Sequence, residues 1–209
     1  MPSQTPQPPL QQPIADSITR VGGWLFERRT LIPIPLAAPL LLLRIGEASP
    51  SPALLACGAA VVAAGEIVRL WAVHHIGVIS RTRSDRLGPL VATGPFAIVR
   101  NPLYLGNVAL WVGFAVLARM LWMVPVIVVV LGFEYHAIVR WEEQLLESRL
   151  GDDYRAYAAQ VPRWLPRSIA APADAADTPH SWRHTFFSER GTLIAIFVAS
   201  ALLWIKARF

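Results

Sequence analysis

The chain has 209 residues, of which 54% are hydrophobic and only 16% charged, and its mean hydropathy is +0.43. That balance leaves too little polar surface for a soluble domain of this size and is the balance of an integral membrane protein. The net charge of +5 does not argue for nucleic acid, because the basic residues lie in a few segments between apolar runs, where they serve as topology signals and lipid-headgroup contacts. Cys57 is the only cysteine, which excludes an intrachain disulfide and a cysteine-rich metal site.

Residues 1–13, rich in Pro and Gln, are expected to form a disordered tail, with no secretory signal. Ile14–Thr30, carrying Trp24, Phe26, Arg28 and Arg29, reads equally well as a helix lying at the membrane interface or as a linker. Leu31–Ile45 is expected to be a first span, although Pro33, Pro35 and Pro39 bend or break a helix unless neighbours satisfy the freed carbonyls. A second span over Pro52–Val73 is dense in Ala and Gly, which let helices approach closely in lipid. Glu66 and Arg69, three residues apart near its end, are spaced to pair with each other or to line a site.

The loop from His74 to Val99 carries Arg81, Arg83 and Arg86 against Asp85, a bias that places it in the cytoplasm. His74 and His75 have no third ligand at recognisable spacing, so no metal is expected. Asn101 suits a helix N-cap and Pro102 the first helical position. The open amides of that turn, with the helix dipole behind them and Arg100 beside them, attract an anion such as a carboxylate. Pro102–Met120 and Leu121–Arg140 then form an antiparallel pair of spans that returns Glu142 to the membrane face of Asn101. Glu142 and Glu143 supply the opposite charge, suited to an ammonium, a sulfonium or ribose hydroxyls. Glu134 and His136 lie deep in the fourth span, where an ionisable group needs partners or water.

Beyond the span, Leu145, Leu146 and Leu150 carry the helix out of the membrane to a stop at Gly151. Tyr154 and Tyr157 follow one turn apart, then Pro162, Arg163 and Pro166. After a linker rich in Ala, Asp and Pro, the apolar run Thr192–Ile205 is long enough to cross only with help, and Lys206 and Arg208 beyond it strain the charge rule. The reading is all-α: a polytopic bundle of about five transmembrane helices with a pocket at the cytoplasmic face. Its parts are a tail and interfacial segment (1–30), a membrane core (31–167), a linker (168–190) and a C-terminal membrane helix (191–209).

Gly94, Phe96, Arg100-Asn101-Pro102-Leu103-Tyr104-Leu105-Gly106, Glu142-Glu143, Gly151-Asp152-Asp153-Tyr154-Arg155-Ala156-Tyr157 and Val161 through Pro166 follow one another in an order and spacing that resembles the isoprenylcysteine carboxyl methyltransferase and phospholipid methyltransferase superfamily of integral-membrane enzymes. The resemblance covers roughly residues 66–167. It implies methyl transfer from S-adenosyl-L-methionine to a lipophilic acceptor, with the bilayer and that acceptor as partners and neither nucleic acid nor metal. It assigns Leu90, Val91, Phe96, Asn101, Pro102, Tyr104, Glu142 and Glu143 to the cofactor, and a tail that lies over it. Arg100, His136 and Arg140 are the candidate catalytic residues.

Two positions depart from the family pattern. Its usual His is Asn101 here, which keeps hydrogen-bonding capacity but cannot accept a proton near neutral pH. The Arg that prenylcysteine enzymes carry about one turn before the Glu pair is Ile138. Both changes fit methyl transfer better than they fit a prenylcysteine acceptor. An amine or phenol acceptor must lose a proton, for which His136 or Glu134 is placed if it faces the cavity. Two other readings stand beside this one: a membrane reductase resembling sterol reductases and using a nicotinamide dinucleotide, and a non-catalytic membrane adaptor.

Overall fold

The computed structural model describes residues 17–29, 31–32, 34–77, 90–166 and 180–208. The tail expected at 1–13, the loop arginines Arg81, Arg83 and Arg86, and most of the expected linker lie outside them. Among the described residues the regular structure is all helical, as expected: α1 (Ser17–Arg28), α2 (Ile34–Leu42), α3 (Pro52–Ile76), α4 (Pro102–Leu117), α5 (Met123–Leu150), α6 (Asp152–Gln160) and α7 (Trp182–Lys206), with a short 3-10 turn at Gly94–Ala97. α3, α5 and α7 are long and apolar enough to cross a membrane, and α4 is apolar but shorter; its 16 residues rise about 24 Å. Ile67, Val129, Phe133 and Phe197 are between 64% and 75% exposed, an outward apolar surface that water penalises and lipid tails satisfy.

The long helices alternate in direction. α3 ends beside the 3-10 turn, where His75 Nδ1 lies 3.1 Å from Thr93 Oγ1. α4 leaves from that end, and α5 returns to it after a tight reversal in which Arg119 takes a φ of 61°. α7 starts there too, its Trp182 ring stacked 3.9 Å from His74, and finishes at the far end. There Lys206 Nζ lies 2.9 Å from Glu47 Oε1 and donates to the Leu40 carbonyl at 2.9 Å. Arg119 closes on the same Glu47 carboxylate, so Lys206 shares its counter-ion with a second cation.

Small residues supply the close approach that the hydrophobic effect cannot drive in lipid. Gly65 of α3 and Gly106 of α4 lie back to back, and a Cβ on either would come within 2.8 Å of the other's carbonyl oxygen. Beside this crossing Arg69 pairs with Glu66 at 3.4 Å and with Glu189 of α7 at 2.6 Å, and it donates to Thr192 at 3.2 Å and to Asn107 of α4. A buried guanidinium is tolerated only when charge and donors are matched, so the expected pair of α3 is one part of a knot that ties three helices together.

Three segments differ from expectation. The segment around Trp24 and Phe26 packs along α5: a Cβ at Gly22 would come within 2.0 Å of the Ala137 carbonyl oxygen, and the Phe26 and Trp141 rings are 4.8 Å apart. The expected first span contains a helix of only nine residues with Pro39 inside it. Non-helical chain carries it to the far end, where Trp122 Nε1 donates to the Ile45 carbonyl at 2.9 Å. α7 begins at Trp182, within the stretch expected to be linker, because Ser181 caps it by accepting from His184 N at 3.3 Å.

The glycine crossing yields a stability test. Gly65→Leu is expected to cost about 1–3 kcal/mol through overpacking and to lower the thermal midpoint in detergent. Gly132→Ala, where a Cβ meets nothing within 4 Å, is expected to leave the midpoint unchanged or raise it.

Candidate functional site

The candidate residues gather where α3 stops, α4 starts and α5 arrives. α5 runs unbroken to Gly151, whose φ of 55° ends it, so Glu142 and Glu143 stand on one rigid helix, pointing about 100° apart. That angle sends them to different partners.

Glu143 belongs to a closed ionic ring. Arg163 Nε and Nη2 lie 3.0 and 2.5 Å from its two oxygens, and Arg100 Nη1 lies 3.2 Å from Oε1. The chain around Arg163 is tied to the start of α4 by three further bonds: Arg100 N to the Pro162 carbonyl at 2.9 Å, Asn101 Nδ2 to the Arg163 carbonyl at 3.3 Å, and the Tyr157 hydroxyl to the Phe96 carbonyl at 2.8 Å. Burial, with the Glu143 charge adding to it, pushes the Tyr154 phenol up to about 12. Burial also raises Tyr157, and the hydrogen bonds to Glu143 raise Arg163. The ring therefore holds neutral phenols and a charged guanidinium throughout the physiological range.

Glu142 has a different setting. Its Oε1 accepts from the Tyr104 hydroxyl at 3.0 Å, and the Tyr104 ring lies 4.7 Å from that of Tyr135. Arg29, at the end of α1, stands over the Phe26 ring at 4.0 Å and is near enough to act electrostatically on both Glu142 and Tyr104.

Phe96 and Pro102 are buried, and Leu90 and Val91 are half-buried on the approach to the 3-10 turn. Asn101 does not cap α4 with its side chain, and its Nδ2 donates instead to the Arg163 carbonyl; Pro102 alone fulfils the expected start of the helix. His136 and Arg140 are half-buried on α5; helical spacing turns them about 120° and 160° from Glu142 and about 20° and 60° from Glu143. Glu134 is 2% exposed, and neither of its oxygens has a hydrogen-bond partner among the described residues. Arg29 was not among the residues expected at the site. The Phe26–Arg29 spacing is visible in the chain, but nothing in it says that Phe26 rests on the tryptophan beside Glu142.

The sequence profile of the family described as phospholipid methyltransferase matches residues 53–153. The nickel-cobalt-cadmium resistance protein NccN of Alcaligenes xylosoxydans xylosoxydans is 31% identical over 117 residues, which is 56% of this chain and 52% of that protein. The cobalt-zinc-cadmium resistance protein CzcN of Cupriavidus metallidurans is 28% identical over 117 residues, 56% of this chain and 51% of that protein. A Haemophilus influenzae protein described as "Uncharacterized protein" is 40% identical over 63 residues, 30% of this chain and 79% of its own length. The chain spans about half the length of the two resistance proteins. No solved structure matches it.

Two measurements follow from the ionic ring. Arg163→Gln leaves Glu143 with one guanidinium and is expected to cost about 1–2 kcal/mol, a charge-assisted bond discounted for partial exposure, read as a lower thermal midpoint. The second is pH dependence. A phenol whose folded pKa is raised contributes stability that is intact below its unfolded value near 10 and is lost as pH climbs toward about 12. Tyr154→Phe is expected to remove that alkaline loss from a stability titration.

Proposed function

Since residues 53–153 place the chain in the phospholipid methyltransferase family, a family of integral-membrane methyltransferases, we propose that it transfers a methyl group from S-adenosylmethionine to a lipophilic acceptor at the cytoplasmic membrane face. The observation that carries this reading is the unequal use of two adjacent carboxylates. Glu143 is engaged by two guanidiniums, whereas Glu142 has a single hydrogen-bond partner, the Tyr104 hydroxyl, among the described residues. Glu142 is the carboxylate with capacity for a ligand.

The residues fit the donor's chemistry. Glu142 beside Tyr104 suits an ammonium or ribose hydroxyls. Arg100 keeps a buried Nε without a hydrogen-bond partner, next to the start of α4, which suits a carboxylate. Leu90, Val91 and Phe96 supply apolar lining, and Pro102 sets the direction of α4. When bound, S-adenosylmethionine supplies a methyl group already activated on a sulfonium. The work left to the chain is to orient its ligands and keep water out, and the tail latched by Arg163, Asn101 and Tyr157 is placed to do both. His136 and Arg140 stand off the face of Glu142 and within about 20° and 60° of that of Glu143. Residues 31–167 form its core, and the loop arginines Arg81, Arg83 and Arg86 assign its face.

The two resistance proteins carry metals in their names; among the described residues of this chain no three His, Cys, Asp or Glu side chains converge to hold a metal ion.

A thermal-stability assay in detergent tests the reading. S-adenosylhomocysteine is expected to raise the melting temperature of the wild type, nicotinamide dinucleotides are not, and Glu142→Ala is expected to abolish the shift. Tyr104→Phe is expected to weaken binding by about 1.5 kcal/mol, roughly tenfold. Folded protein that ignores both S-adenosylmethionine and its product would end the proposal.

A further inference from the structure

α1 lies outside the family match, which begins at residue 53, yet it is built onto the helix that carries the Glu pair. Its buried face is Thr19, Gly22 and Phe26, and two contacts fix its register on α5. Gly22 rests on the Ala137 carbonyl, and Phe26 rests on Trp141. Both steps are four residues in the same direction, so the two helices run parallel. Gly23 adds to the seat, since a Cβ there would come within 3.1 Å of Trp141 Nε1. Two adjacent glycines in a helix interior cost stability and are explained here by the close approach to α5.

The register has a chemical consequence at the end of α1. The guanidinium of Arg29, one turn beyond Phe26, lies over the Phe26 ring at 4.0 Å, and that ring lies 4.8 Å from Trp141, the residue before Glu142. A guanidinium held flat on an aromatic ring has given up much of its rotational freedom before it meets an anion. Tyr104 takes Glu142 Oε1. A cation on the α1 side biases the carboxylate to one orientation, with the remaining oxygen presented to a ligand.

We propose that α1 is a wall of the donor site and that Arg29 is a positioning residue for Glu142, delivered by the Gly22–Phe26 seat on α5. The proposal rests on the methyltransferase reading for the identity of the ligand, but not for the electrostatic coupling of Arg29 to Glu142. Arg29 acts through Glu142 and is not itself placed against the cofactor.

The test uses the full chain in detergent. Arg29→Gln is expected to weaken S-adenosylhomocysteine binding about tenfold, and Arg29→Lys is expected to restore most of the affinity. A thermodynamic cycle of Arg29→Gln, Glu142→Gln and the double variant, measured on unliganded protein, is expected to show coupling between the two residues. Wild-type affinity in Arg29→Gln, or no rescue by Arg29→Lys, would overturn the positioning role, and additive effects in the cycle would overturn the coupling. If the wild type ignores S-adenosylhomocysteine while the cycle shows coupling, the methyl-donor reading fails and the Arg29–Glu142 coupling stands.

Discussion

Everything at the candidate site depends on α5 being continuous from Met123 to Leu150. A helix that stopped at the membrane boundary would leave the Glu pair in a loop, where both carboxylates would turn toward the same water. Carried on a rigid helix, they are held about 100° apart and meet different surroundings. One closes a ring with Arg100 and Arg163, and the other accepts from Tyr104. Two chemically identical neighbours thereby take different partners.

The same economy governs charges along the bundle. In a bilayer an unmatched charge is costly, and the chain meets this by grouping: Arg69 with Glu66 and Glu189 between the helices, and Glu47 with Arg119 and Lys206 at the far end. Each group joins segments distant in sequence. Close glycine contacts, Gly65 on Gly106 and Gly22 on Ala137, bring backbones near enough for these polar ties to form. The polar groups and the small residues are thus two parts of one packing solution, since lipid offers helices no hydrophobic reason to associate.

The tail after α6 shows how an irregular segment is fixed without regular structure. Val161–Pro166 makes few bonds within itself, but its carbonyls accept from Arg100 N and Asn101 Nδ2 while the Arg163 side chain grips Glu143. Opening it breaks all of these bonds together.

Much of this was legible in the chain alone. Apolar runs of membrane length, Pro102 at a helix start, Gly151 at a helix stop and the order of the Arg100–Tyr104, Glu142-Glu143 and Tyr154–Tyr157 groups are local features, and local backbone physics acts on them wherever they occur. Counting spans was enough to bring Asn101 and Glu142 to one end of the bundle. What the tertiary structure alone decided is partnership: that Asn101 serves the Arg163 carbonyl and not its own helix, that Glu143 and Glu142 take different partners, and that α1, a segment which reads as interfacial or linking, packs along α5. Partnership depends on helix rotation and register, which arise when side chains from distant segments compete for the same space and the same charges, and no window of the sequence contains both competitors.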